Sequence, residues 1–175
     1  MALTVEVVTR PGVAELLPID EIERVLAAAL AAAGAPETAT VTLTLSDDSE
    51  LAALNEAHMG KSGATDVLSF PQLPPSAFPP HPGQDPRLRT APEAFPLPPG
   101  APLHLGDIIV SVERAVDQAL NGIGGQTSDV RWQPANELRL LVVHGALHLC
   151  GWDHAEPEEE AAMRALEQRL LDRAR

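Results

Sequence analysis

Three histidines at fixed spacing, His144, His148 and His154, constrain this chain more than any other feature. The apolar positions Leu138, Leu141, Val142, Ala146 and Leu149 recur at helical spacing, and Pro134 suits a first helical turn, so the run through Cys150 reads as a long helix with a buried stripe. On such a helix His144 and His148 stand at i and i+4, one above the other on a single face. Gly151 then ends the helix in a left-handed conformation, and the turn it permits swings His154 back toward the pair. Three neutral imidazoles suit zinc, at roughly 2.0–2.1 Å each, and leave the fourth tetrahedral position open to water, as catalytic rather than structural zinc sites do. The expectation is one zinc ion per chain, held by His144, His148 and His154.

The spacing matches the long zinc-protease signature His-Glu-x-x-His-x-x-Gly-x-x-His at all three histidines and at the glycine. It fails at one position, because Gly145 stands where those proteases carry the glutamate that serves as general base. The pattern therefore points to a metal site and away from proteolysis. Cys150 follows His148 by two positions and so lies about 200° around the helix from it. It reads as a small buried hydrophobe, not as a fourth ligand.

The length fits a single domain spanning residues 1–175. One cysteine excludes an intrachain disulfide framework and makes a reducing cytoplasm the natural compartment. No segment has the apolar length of a membrane span, and the N-terminus lacks the pattern of a secretory signal, so a soluble cytoplasmic protein is expected. The formal charge of -13 argues against a general affinity for polyanions. A nucleic-acid substrate would need a local basic patch or the metal itself.

Along the chain, Leu3 to Val8 reads as a first strand stopped by Pro11 and Gly12, and the helical spacing from Ile22 to Ala33 as an amphipathic helix with Asp20 as N-cap. Thr40 to Leu45 alternates strictly and marks a half-buried strand, and the Ser46 to Glu50 cluster caps a helix running to about His58. Thr65 to Phe70 is a third strand. Between Pro71 and Pro102 lie 12 of the chain's 17 prolines, which predicts an extended, mobile surface insertion at 71–102, with Arg87 and Arg89 as solvated charges. Leu105 to Ser111 carries a continuous apolar run and so belongs in the sheet interior. A helix over about 112–120 follows, then a turn at 121–125, the histidine helix, and a last helix from Pro157. Its acidic first turn and basic last turn both favour the macrodipole, and Met163, Leu166 and Leu170 form its packing stripe. These elements specify an α+β (mixed α/β) fold: one domain with a small four-stranded mixed sheet packed by about five helices. The third and fourth strands form its hairpin, and the metal site lies on the C-terminal long helix and the turn after it.

Three motifs in order, Thr65-Asp66-Val67-Leu68-Ser69-Phe70-Pro71, Leu105-Gly106-Asp107-Ile108 and the block from His144 to His154, resemble the YbeY family of bacterial endoribonucleases and ribosomal RNA maturation factors. The resemblance covers nearly the whole chain apart from the proline-rich insertion. It implies a zinc-dependent endoribonuclease specific for single strands. Such an enzyme acts in the cytoplasm on the 3′ end of 16S ribosomal RNA and in ribosome quality control, with ribosomal proteins or assembly factors as further partners. The family's zinc ligands map onto His144, His148 and His154. One departure concerns RNA binding: Met59 in His58-Met59-Gly60-Lys61 replaces an arginine common in the family, which leaves that role to Lys61 or to an arginine from elsewhere, such as Arg139.

No sequence feature names the general base. Asp153 either orients a ligand histidine by accepting its second ring N–H or caps the final helix, and Asp66 and Asp107 are alternatives for the orienting role. Two rival functions share the histidine geometry. One is a zinc hydrolase or protease of another substrate. The other is a non-catalytic ribosome-assembly factor whose zinc is structural and braces the C-terminal helices.

Overall fold

The parallel strands β1 (Thr4–Thr9) and β2 (Ala39–Ser46) are joined by the helix α1 (Ile19–Ala32), a βαβ crossover that sets one side of the sheet. The structure, a computed structural model, describes residues 3–90, 98, 100–121 and 132–174. After β2 come α2 (Asp48–Met59), β3 (Val67–Pro71), β4 (Leu103–Ser111), α3 (Val112–Asn121), α4 (Pro134–Leu149) and α5 (Pro157–Arg173). The sheet order is β1-β2-β4-β3, with β2 parallel and β3 antiparallel to β4. This is the α+β fold expected, a single domain with a four-stranded mixed sheet, in which β4 is interior and pairs with β3 across the long connection.

Element boundaries moved by two or three residues where a cap was misread. α1 begins at Ile19 behind Pro18, and Asp20 lies in its first turn, paired with Arg24 at 2.7 Å, instead of capping it. Asp47 does cap α2, accepting the backbone N–H of Glu50 at 2.9 Å. The turn expected at 121–125 lies, beyond Asn121, outside the described residues.

α4 is the axis of the molecule. It touches α1, α3, α5, β3 and β4, and Leu138, Leu141, Val142, Val143, Ala146, Leu147 and Leu149 are all buried. The sequence reads as a helix with one apolar stripe, and the structure surrounds it on nearly every side. The face carrying His144 and His148 stays partly open.

Two glycine positions make the close packing around α4 possible. A β-bulge between the Thr40 and Thr42 positions of β2 places Leu105 and Gly106 of β4 opposite a single partner. The added residue resets the alternation, so Leu105, Ile108 and Val110 are all fully buried. Gly106 has φ +135°, and a Cβ there would lie 2.2 Å from the Phe70 carbonyl oxygen and 2.9 Å from Leu149 Cδ1. On α4 itself, a Cβ on Gly145 would meet Ile108 Cγ2 at 2.8 Å and Val67 Cγ2 at 3.0 Å. The helix therefore lies directly on β3 and β4, where Ser69 Oγ donates to the Gly145 carbonyl at 2.8 Å.

The described part of the proline-rich segment departs from the extended, mobile form expected of it. Residues Pro75–Ala77 and Pro86–Arg89 form short 3-10 turns, and Phe78 is buried in the core. His81 stacks on Trp152 with centroids 3.9 Å apart, and its Nε2 lies 2.6 Å from Glu159 of α5. Proline forbids regular elements but not packing, and one phenylalanine and one histidine anchor the loop. Arg87 pairs with Asp85, and Arg89 donates to the Phe78 carbonyl at 3.1 Å.

Gly106→Ala should lower the stability to unfolding by about 3 kcal/mol, combining left-side backbone strain with overpacking. Urea denaturation of the variant and the parent measures it, and an unchanged midpoint would contradict the close contact with Phe70.

Candidate metal centre

The end of α4 builds the site. The Trp152 N–H bonds the Leu147 carbonyl and the Gly151 N–H bonds the His148 carbonyl, both at 3.0 Å, so the helix closes in a Schellman turn with Gly151 at φ +85°. That turn reverses the chain and brings His154 beside the two helical histidines. The ring centroids of His144 and His148 are 4.5 Å apart, and those of His154 lie 5.6 and 5.0 Å from them. One nitrogen from each ring falls within 4.8 Å of the others, a grouping able to hold a metal ion.

The hydrogen bonds around the rings decide which nitrogens face inward. His144 Nδ1 lies 2.6 Å from Glu167 Oε1, and His148 Nδ1 lies 2.8 Å from the Trp152 carbonyl oxygen. A carbonyl can only accept, and an ionised carboxylate can only accept, so both Nδ1 atoms carry the proton. In neutral rings both Nε2 atoms are then acceptors, and they lie 3.0 Å apart. Two lone pairs held that close repel unless a cation sits between them, and neutral imidazole nitrogens are ligands suited to zinc. The donor set therefore fits a bound metal ion.

Burial pushes the His148 imidazole down to about 4, with the neighbouring His144 and His154 adding to the fall and the Trp152 carbonyl and Asp153 opposing it. His148 is thus neutral, the form that ligates, well below physiological pH. Burial also pushes the Cys150 thiol up to about 12, and Cys150 is fully enclosed. It is a core side chain, as its helical phase predicts.

The other residues singled out from the sequence fall in different places. Asp153 does not reach a ligand ring: its carboxylate accepts the His154 backbone N–H at 2.8 Å, and its own N–H donates to Glu159. The orienting carboxylate is Glu167, on α5. Its position next to Leu166 and one turn after Met163 puts a charge on the packing stripe of that helix, and that is the sequence signal for it. Asp107 lies on β4, 3.5 Å from His104, away from the histidine cluster. Asp66, at the foot of β3, does line the cleft that His144 and His154 open onto. Arg139 is elsewhere: it pairs with Glu21 of α1, bonds Asn136 at 2.9 Å and lines a different groove, between α1, α4 and α5. Lys61 is exposed just beyond the end of α2.

Gly145 explains the departure from the protease signature. The side chain of the residue after the first histidine would point at Ile108 and Val67, into the sheet and not into the cleft. A glutamate there has no room and no access to the metal position.

Comparison with known proteins identifies a family and a shared fold. The family model described as endoribonuclease YbeY matches residues 14–175. A protein named endoribonuclease YbeY from Symbiobacterium thermophilum is 39% identical over 142 residues, covering 81% of this chain and 76% of the relative. One of the same name from Chloroflexus aurantiacus is 36% identical over 172 residues, covering 98% and 95%. A solution structure of a protein from Thermotoga maritima shares the fold, with a TM-score of 0.57 at 18% identity over 98% of this chain and 89% of that one.

Glu167→Gln should leave the domain folded and weaken metal binding by about 10–100-fold, because the ring of His144 loses its ionised acceptor. Competition against a chromophoric chelator reads the change. The metal-free protein should lose stability as pH falls from about 6.5 towards about 4. In that window the unfolded chain protonates His148 and the folded chain does not, so proton uptake favours unfolding. Urea midpoints at pH 7 and pH 5 in the presence of chelator test this, and the loss should shrink in His148→Gln.

Proposed function

The chain belongs to the endoribonuclease YbeY family, and from that membership and the histidine geometry we propose that it is a zinc-dependent endoribonuclease cleaving single-stranded RNA by phosphodiester hydrolysis. The observation that carries the metal dependence is the grouping of the three histidines, with the Nε2 atoms of His144 and His148 3.0 Å apart and a nitrogen of His154 within 4.8 Å. The family's link to ribosomal RNA extends the reading to maturation of the 16S RNA 3′ end and to ribosome quality control, in the cytoplasm and with ribosomal proteins or assembly factors as partners. Among the described residues no helix is long and apolar enough to cross a membrane, which fits that setting.

When bound, a zinc-like ion supplies Lewis acidity, acidifying water and taking up charge on the phosphoryl oxygens. The protein's own residues set the site for it. Glu167 and the Trp152 carbonyl fix the tautomers of His144 and His148, so both present a lone pair. The Schellman turn places His154. Glu159 holds the turn from below by accepting the Asp153 N–H at 2.9 Å while bonding His81. Lys61, exposed at the end of α2, is left to meet the RNA backbone. Arg139 is engaged with Glu21 and is not required by this reading.

Metal content and single-stranded RNA cleavage, measured on wild type and His148→Ala under the same conditions, test the proposal. The expected result is about one zinc per chain in wild type, with metal and cleavage both lost from a variant that keeps its far-UV circular dichroism. Equal cleavage by both proteins would assign the activity to a contaminant. A variant that unfolds would favour a structural zinc.

A further inference from the structure

The cleft beside the histidines extends between α3, α4 and α5 and has a volume of about 510 Å³. His144 and His154 stand at one end of it. Glu137 stands on the same face of α4 two turns earlier, about 10 Å along the helix axis. The lining is of two kinds. Leu140, Leu141, Met163 and Leu171 give it apolar walls, and Asp66, Gln118, Glu137 and Glu160 supply polar edges.

The charge of these edges rules out the obvious use. Among the described residues the cationic side chain in the lining is Arg164, and it is paired with Glu160, whereas Asp66, Glu137, Glu160 and Glu167 are all carboxyl groups. A phosphate in that space would meet carboxylates with no free cation to offset them. A flat, uncharged, partly apolar group bearing hydrogen-bond donors meets none of that repulsion. In an RNA strand that group is the base.

Resting on the reading of the histidine site as a single-strand nuclease, we propose that this cleft is a nucleobase subsite. It takes one unpaired base, preferring one with an exocyclic amino group, from a nucleotide adjacent or next-adjacent to the scissile phosphate, with Gln118, Asp66 and Glu160 at its edge and Glu137 beneath it. Gln118 donates one amide hydrogen to Asp66 Oδ2 at 3.0 Å, which ties its amide to the wall of the cleft. Glu137 is 1% exposed, its Oε2 accepts the Trp132 indole N–H, and its carboxyl forms the floor. Burial, with Asp66 adding to it, holds the Glu137 carboxyl above its ordinary range, while the Trp132 bond opposes this. The acceptors Asp66 and Glu160 suit the amino groups of adenine, cytosine or guanine, while the two carbonyl oxygens of uracil face them unfavourably. A base in a duplex cannot enter such a cleft, so the subsite also gives the single-strand preference a structural cause.

The test has a binding arm and a cleavage arm. In the first, 15N-labelled zinc-loaded protein is titrated with AMP, UMP or ribose 5-phosphate, and the Gln118 side-chain amide and Trp132 indole resonances are followed. AMP should shift both and bind on the order of tenfold more tightly than UMP, as loss of a base contact allows. Ribose 5-phosphate should shift neither, and in Gln118→Leu and Glu137→Gln, each showing a dispersed spectrum, the advantage of AMP should disappear. In the second arm a single abasic residue is walked along a single-stranded RNA substrate, and kcat/KM should fall at one position beside the cleavage site. Equal shifts by AMP and ribose 5-phosphate, or an abasic walk with no sensitive position in a substrate that is cleaved, would overturn the subsite. Base-dependent shifts without any cleavage would keep the subsite and overturn the nuclease reading instead.

Discussion

The two Nε2 atoms held 3.0 Å apart across one turn of α4 are the constraint on which the rest of the structure depends. Left to themselves, two histidines at i and i+4 would turn their rings to solvent or share a proton. Here each ring is locked from behind by an acceptor, Glu167 for His144 and the Trp152 carbonyl for His148. Those acceptors come from two structural devices. α5 must pack along α4 to deliver Glu167, and the helix end must close as a Schellman turn to deliver the carbonyl. The packing stripe of α5 and the glycine at Gly151 are therefore as much parts of the centre as the ligands.

The same centre explains the contact between α4 and the sheet. A helix that presents histidines on one side has its opposite side free to approach β3 and β4, and Gly145 permits an approach closer than any side chain would. The bulge at Leu105 and Gly106 adjusts the sheet to that approach, returning Ile108 and Val110 to the buried face. Separation from the zinc proteases thus follows from packing. Where those enzymes carry a catalytic glutamate, this fold has used the position as a helix–sheet contact.

Much of this was legible in the residues. The histidine spacing, the left-handed glycine and the alternation of β2 are local signals, and local signals survive into the fold. The order and type of the α-helices and β-strands could be read for that reason, as could the hairpin of β3 and β4. What sequence could not supply was anything set by contact between distant segments. Glu167 is 23 residues from His144, and although its place on the packing stripe of α5 marks it as buried, nothing local says which ring it meets. Arg139 looked free because its partner, Glu21, is 118 residues away on α1. The proline-rich segment looked loose because proline density reports what the backbone cannot form. The burial of Phe78 and the pairing of His81 with Glu159 are tertiary facts. Asp153 stands open in the sequence between orienting a histidine ring and capping the last helix, and in the structure its carboxylate accepts the next backbone N–H instead.

A net charge of -13 is an awkward property for a protein that handles RNA, and the distribution of polar groups bears on it. Electrostatic attraction to the phosphate backbone normally supplies much of the affinity of a nucleic-acid-binding protein. With carboxyl groups lining the cleft, that source is weak there. On the proposals made above, affinity comes from a metal ion at one phosphate and from apolar and hydrogen-bonding contact with an unstacked base. Repulsion elsewhere along the strand works in favour of selectivity. It would penalise any RNA, including a duplex, that cannot offset it by placing a base in the cleft, so the acidic cleft and the proposed preference for single strands would follow from one arrangement of charges.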